Sequence, residues 1–226
     1  MSAPGYGDKM NKKVNLLEYQ IPFSQTEYVQ ALLCSHFQES DLRECLKIEK
    51  KLAFSDLRAK AWYCPKEENR ILVVMTLGQI FDDLIEEYEQ KEELLLAYAA
   101  ECLAMEALKK AYEMFGGKLY EIEGKYPGEY HFLDDKAMRN VPEILKGMEI
   151  GEVYCNEAFA LIPQKTVIFL TEVSYEKNAE CIKLCESCSQ KNCSNRMEKT
   201  KKHLAALNYG YQRILGNGGN ELWKKD

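Results

Sequence analysis

The chain has few histidines, few tryptophans and no long apolar run. Among its 226 residues only His36, His131 and His203 carry an imidazole. They form no HExxH zinc-protease pair, and no Ser-His-Asp set can be read around them. A Walker loop and a GxGxxG turn are also missing, so the common phosphate cradles are not expected. No stretch approaches the 18 or so apolar residues of a membrane span. Base is not in excess: the net charge is −6 and the pI about 5.4, so no nucleic-acid surface is expected. There is no internal repeat. The start, Met1-Ser-Ala-Pro-Gly5, lacks the charged-then-apolar pattern of an export signal. The expectation is a cytoplasmic, globular chain whose cysteines stay reduced.

Cysteine, by contrast, is abundant. There are nine, an odd number that forbids complete internal pairing. Four fall together as Cys181-x3-Cys185-x2-Cys188-x4-Cys193. Thiolates at such spacings can converge on one point, as a tetrahedral zinc or a [4Fe–4S] cluster requires. Exposed free thiols at this density would invite oxidation, which favours ligation over an array of free cysteines. The spacing leaves zinc and iron–sulfur both open. The first three also match the triplet of radical S-adenosylmethionine enzymes, but too little chain follows them for that barrel.

Residues 1–13 carry Pro4, Gly5 and Gly7 and read as a flexible lead-in. Ser24-Gln-Thr-Glu27 has capping-box spacing, with Phe23 and Tyr28 placed for a hydrophobic staple, so a helix should run from there to about His36. A second helical pattern follows at Leu42, Cys45, Leu46 and Leu52. Ala59–Cys64 and Arg70–Leu77 read as the strands of a hairpin around the turn at 65–69. Helices are expected from Gly78 to Phe115, the second rich in alanine and ended by Gly116-Gly117. Lys118–Glu123 reads as a strand, 124–135 as an irregular aromatic loop, and Lys136–Lys146 as a short helix. Glu152–Leu161 and Lys165–Val173 read as strands, and Lys199–Leu215 as a basic helix. Helices and strands mix without regular alternation, so the expected class is α+β.

Two features outside the cysteines could carry chemistry. The segment Tyr126-Pro-Gly-Glu-Tyr130-His131 joins turn formers to aromatics that could line a pocket for a flat group. His131 is the one histidine near it; His36 reads as structural. Glu106 sits among apolar and alanine neighbours, either on an outer face or turned into a cleft. Glu86–Glu93 reads as a solvated helix face.

Several stretches, in order, resemble one family: the activation (reactivation) domain of cobalamin-dependent methionine synthase in its free-standing form. They are Leu72-Val-Val-Met-Thr76-Leu77-Gly78 with Asp82-Asp-Leu-Ile85, the alanine-rich helix around Ala97–Tyr112, Tyr126-Pro127-Gly128, Ile150-Gly151 with Glu157 and Pro163-Gln-Lys165-Thr166-Val167, and Cys185-x2-Cys188-x4-Cys193 with Arg196. The resemblance implies a twisted, largely antiparallel sheet flanked by helices. It divides the chain into the lead-in, an activation-domain-like unit over 14–180, and a Cys-rich metal-binding segment with a C-terminal helix and tail over 181–226.

It further implies an accessory role in methionine biosynthesis. The chain would bind S-adenosylmethionine and help reactivate a corrinoid-dependent methyltransferase, such as a methionine synthase without its own activation domain. Cobalamin would sit on that partner, and this chain would be part of the methyltransferase system. Carried over by position, Glu106, Tyr126, Pro127, Gly128 and Tyr130 are the expected ligand contacts. Cys181, Cys185, Cys188 and Cys193 are the expected metal ligands. Two positions depart from the pattern: Gly124 stands where the family has arginine, and Glu129 where it has tyrosine. The alternative is a zinc or iron–sulfur protein in which the cysteine cluster is the functional centre and no S-adenosylmethionine binds.

Overall fold

The structure is a computed structural model that describes residues 13–176, apart from 36, 53–55, 68 and 134. The Cys181–Cys193 cluster, His36, His203 and the lead-in through residue 12 lie outside the described residues. In chain order the elements are β1 (Asn15–Gln20), α1 (Gln25–Cys34), α2 (Glu39–Cys45), α3 (Lys47–Lys51), β2 (Arg58–Pro65), β3 (Arg70–Thr76), α4 (Ile80–Gln90), α5 (Leu94–Glu123), β4 (Tyr126–Pro127), β5 (His131–Phe132), α6 (Asp135–Met138), α7 (Val141–Gly147), β6 (Tyr154–Cys155), β7 (Leu161–Ile162) and β8 (Thr166–Ser174).

The fold is α+β. One sheet runs β1-β2-β3-β8, with β4 and β5 both on the outer edge of β8, and every described pairing is antiparallel. The central strands are covered on both faces. Ala59, Ala61 and Tyr63 of β2 and Ile71, Val73 and Met75 of β3 face the helices α1–α5. Their neighbours Trp62, Cys64, Leu72 and Val74 pack under Val141, Ile144 and Leu145 of α7. Since successive side chains point to opposite faces, a doubly covered strand reads as an unbroken apolar run. That accounts for Ile71–Met75.

The expected N-terminal signals are in place. Ser24 Oγ accepts from the Glu27 amide at 3.3 Å, and Glu27 Oε2 accepts from the Ser24 amide at 2.8 Å. The Tyr28 hydroxyl donates to the Cys45 carbonyl at 2.9 Å and ties α1 to α2. β1, by contrast, was not among the expected strands.

The largest departure is at α5. Gly116-Gly117 does not end it, and Lys118–Glu123 is helix rather than strand. Each mid-helix glycine costs about 1 kcal/mol relative to alanine. Burial of Phe115 and Leu119 on either side offsets that cost. Gly116 packs on Pro127: a Cβ there would already stand at contact distance, 3.4 Å from Pro127 Cγ, so a longer side chain has no room. The true cap is Gly124, in the left-handed region at φ +66, whose amide donates to the Tyr120 carbonyl at 2.9 Å. The aromatic segment after it is not an irregular loop. It forms β4 and β5, and the expected helix at 136–146 is the two short pieces α6 and α7.

Where β3 and β8 end beside each other, the Thr-Leu-Gly and Pro-x-Lys-Thr stretches meet. Thr76 Oγ1 and Thr166 Oγ1 are 2.7 Å apart, and Thr76 Oγ1 also accepts from the Gly78 amide at 3.1 Å. The Leu77 amide donates to the Lys165 carbonyl at 3.1 Å. Asp82 Oδ2 on α4 accepts from the Gln164 amide at 2.8 Å. The Lys165 ammonium donates to Glu101 on α5 at 2.8 Å. This end of the sheet is a polar latch among the chain entering β8 and helices α4 and α5.

Candidate site at the Pro127-Gly128 strap

The opposite end of β8 carries the expected ligand loop. Tyr126 and Pro127 pair with Ser174 and Val173, and His131 and Phe132 pair with Leu170 and Phe169. Between them the Gly128 amide donates to the Glu172 carbonyl at 2.7 Å. The segment is therefore a strap laid along the sheet edge. Gly128 lies close against β8: a Cβ there would stand in ordinary contact with that carbonyl oxygen, at 3.5 Å. Pro127 is buried against Gly116 of α5.

The two tyrosines of the strap differ. The Tyr126 ring is half-buried and stacks on Tyr120 at 4.2 Å and 9°. Tyr130 points inward and is 4 % exposed. Its ring stacks on Phe169 at 4.5 Å and meets Tyr112 and Phe115 at 6.2 Å. Its hydroxyl donates to the Tyr112 carbonyl at 3.3 Å. Tyr130 thus holds the strap to the core, while the Tyr126 ring stays half-buried. His131 is exposed on β5.

Glu106 is not brought to the strap. It precedes Gly116 by ten residues on α5, about 15 Å along the helix axis. It is half-exposed and accepts from the Lys109 ammonium at 2.9 Å. Burial pushes the nearby Cys34 thiol up, and the Glu106 carboxylate adds to that shift.

Beside the strap lies a cavity of about 170 Å³, lined in part by Tyr63, Lys66, Arg70, Leu119, Glu123 and Lys125. The buried Tyr63 hydroxyl donates to Glu123 Oε1 at 2.5 Å. Burial, then that carboxylate, pushes the Tyr63 hydroxyl well above the usual tyrosine range, so it stays a donor. The Lys125 ammonium stands 5.2 Å from the centre of the Tyr175 ring. Gly124, where the resemblance would place arginine, has no side chain to offer and serves as the left-handed cap. Sequence reasoning did not single out Tyr63, Lys66, Arg70 or Glu123. They come from three separate elements, and no local spacing links them.

A larger open groove of about 700 Å³ runs between β1 and the second half of α5, lined by Tyr19, Met114 and Ile122 among others. Among the described residues no group of three or more His, Cys, Asp or Glu could hold a metal, and Cys34, Cys45, Cys64, Cys102 and Cys155 are in no disulfide. No helix among them is long and apolar enough to cross a membrane.

No family model matches the sequence. No curated protein matches it either. Among solved structures, one similar chain is the MetH reactivation domain bound to AdoHcy, with a TM-score of 0.46 and 10 % identity over 75 % of this chain and 81 % of that one. A likeness of that size assigns no role to any residue of the strap or the cavity.

Proposed function

We propose that the chain is an S-adenosylmethionine-binding accessory protein for a corrinoid-dependent methyltransferase, a methionine synthase or a relative lacking its own activation domain. The order of the family-like stretches along the sequence is one support. The observation that carries the reading is a cavity holding charges of both signs, lined by Lys125 immediately before the strap, whose first ring, Tyr126, is half-buried on Tyr120. S-adenosylmethionine has a flat base at one end and a zwitterion at the other, so its chemistry fits that ring and cavity.

Bound there, S-adenosylmethionine would supply a methyl group, and the acceptor would be the reduced cobalt of the partner's corrinoid. Such an acceptor is itself a strong nucleophile, so this chain needs no general base. Its residues would bind and orient: the Tyr126 ring as a face, the strap backbone as a fixed edge, the cavity as an anchor for one end. Rigid attachment of the strap through Gly128, Pro127 and Tyr130 serves that positioning. Calorimetry of the full chain with S-adenosylmethionine tests the reading; no detectable binding overturns it.

We also propose that residues 14–180 form the activation-domain-like unit and that 181–226 form a metal-binding segment. Cys181, Cys185, Cys188 and Cys193 would hold zinc or a [4Fe–4S] cluster, and their spacing supports this. Absorbance near 400 nm in anaerobically purified protein would identify a cluster; zinc by metal analysis would identify the other; neither would refute the segment's role.

A further inference from the structure

We propose that the cavity beside the strap seats the α-amino-carboxylate end of the ligand, with Lys66, Arg70 and Lys125 toward the carboxylate and Glu123 toward the ammonium. The proposal rests on the S-adenosylmethionine reading and specifies which end of the molecule enters.

Size is the first reason. At about 170 Å³ the cavity is smaller than the roughly 300–1,000 Å³ that whole drug-sized ligands occupy. It takes an end group, and the rest of the molecule lies across the open strap. Charge is the second. Three cations and one carboxylate line the cavity of a chain whose net charge is −6, a local reversal that favours an anionic group. The cations converge from separate places: Lys66 from the β2–β3 turn, Arg70 from the first residue of β3, Lys125 from the α5–β4 junction. The lone carboxylate argues against a phosphate, whose multiple charge it would repel. The three cations argue against a simple cation. A zwitterion satisfies both.

Orientation is the third reason. The buried Tyr63 hydroxyl holds Glu123 Oε1 at 2.5 Å, which fixes the carboxylate at the cavity and leaves Oε2 outside that bond. Tyr63 is therefore a positioning residue, and Glu123 a direct contact for an ammonium.

Calorimetry on the full chain with two ligands tests this. Decarboxylated S-adenosylmethionine keeps the sulfonium, the base and the ammonium but lacks the carboxylate. Wild type should bind it at least about tenfold more weakly than S-adenosylmethionine. Lys66→Met should weaken S-adenosylmethionine by about tenfold and leave the decarboxylated compound unchanged, and Glu123→Gln should weaken both. Equal affinity of wild type for the two compounds, or unchanged S-adenosylmethionine binding in both variants, overturns the inference while the broader reading stands. If wild type binds neither compound, both fall together. Because Lys66→Met is judged by the difference between two ligands, a general loss of fold, which weakens both alike, counts against the inference and is not mistaken for support.

Discussion

Lys165 and Glu101 form an ion pair with its two ends in different surroundings, and removing either end should cost a different amount. The Lys165 side chain is 7 % exposed and the Glu101 side chain 40 %, with nitrogen and oxygen 2.8 Å apart. Glu101→Ala strands an ammonium inside the protein. Breaking a buried pair from one side costs about 3–5 kcal/mol. Glu101 is partly solvated, and the Asp82 carboxylate also attracts Lys165. Both discount the cost, to about 2–3 kcal/mol. Lys165→Met keeps the buried stem and removes only the charge, and Glu101 can then turn to water. That change should cost about 0–1 kcal/mol.

The double variant should resemble Lys165→Met, because no charge is left stranded. The cycle would show a coupling of about 2–3 kcal/mol, well above what independent sites give. Urea denaturation of the four proteins measures all three values, with the slopes checked for equality. If Glu101→Ala costs no more than Lys165→Met, or if the double variant is as unstable as Glu101→Ala, the reasoning fails.

The adjacent glycines of α5 should respond in opposite directions. Gly117 is exposed with nothing near its Cβ position, so Gly117→Ala should stabilise by about 0.5–1 kcal/mol. Gly116→Leu should destabilise by about 1–3 kcal/mol and speed hydrogen exchange of the Gly128 amide; matching responses would refute the packing account. Tyr130→Ala should cost about 3–4 kcal/mol and Tyr130→Phe about 1 kcal/mol by chemical denaturation, and a small loss in the alanine variant would remove the ring from the core. For Asp82, burial pushes the carboxyl above its ordinary 3.8, against the pull of the Gln164 amide and Lys165. In the window above 3.8 the folded state binds more protons than the unfolded one, so this group lowers stability as pH rises. Asp82→Asn should therefore gain stability relative to wild type across that window, and parallel pH curves would contradict it. Cys188→Ser should lower the metal content of the protein, and unchanged metal analysis would refute ligation by that thiol.

What the sequence conceals here follows from tertiary packing. β3 was legible because burial on both faces makes five consecutive apolar residues, Ile71–Met75. β1 was not, because only Leu17 and Tyr19 face the core from an edge strand, too few for a pattern. The end of α5 was misread for another reason. Two glycines cost about 2 kcal/mol of helix propensity, and the contacts that outweigh them, Gly116 on Pro127 and Phe115 on Tyr130, join residues whose proximity only the fold creates. The strap shows the same limit. Tyr126 and Tyr130 look alike in sequence, yet one ring is half-buried and the other lies in the core.

The stretches that carried the family resemblance divide in the same way. Thr76-Leu77-Gly78 and Pro163–Thr166 lie about ninety positions apart in sequence, and their closest link is the 2.7 Å contact of Thr76 with Thr166. They close one end of the sheet. The strap and the cavity lie at the other end, where Arg70 opposes Glu172, six residues and about 20 Å along β3. Residues of the latch therefore specify how β8 enters the sheet and say nothing of the cavity at its exit. The cavity residues are supplied by the β2–β3 turn, the start of β3 and the end of α5, and Tyr63 and Glu123 meet across 60 positions. Gly124 caps α5 with no side chain to offer, and the charges at 66, 70 and 125 reach the cavity from the β2–β3 turn, β3 and the α5–β4 junction. β3 was readable from local pattern because its own residues carry the signal; the cavity was not, because it exists only where three elements end together.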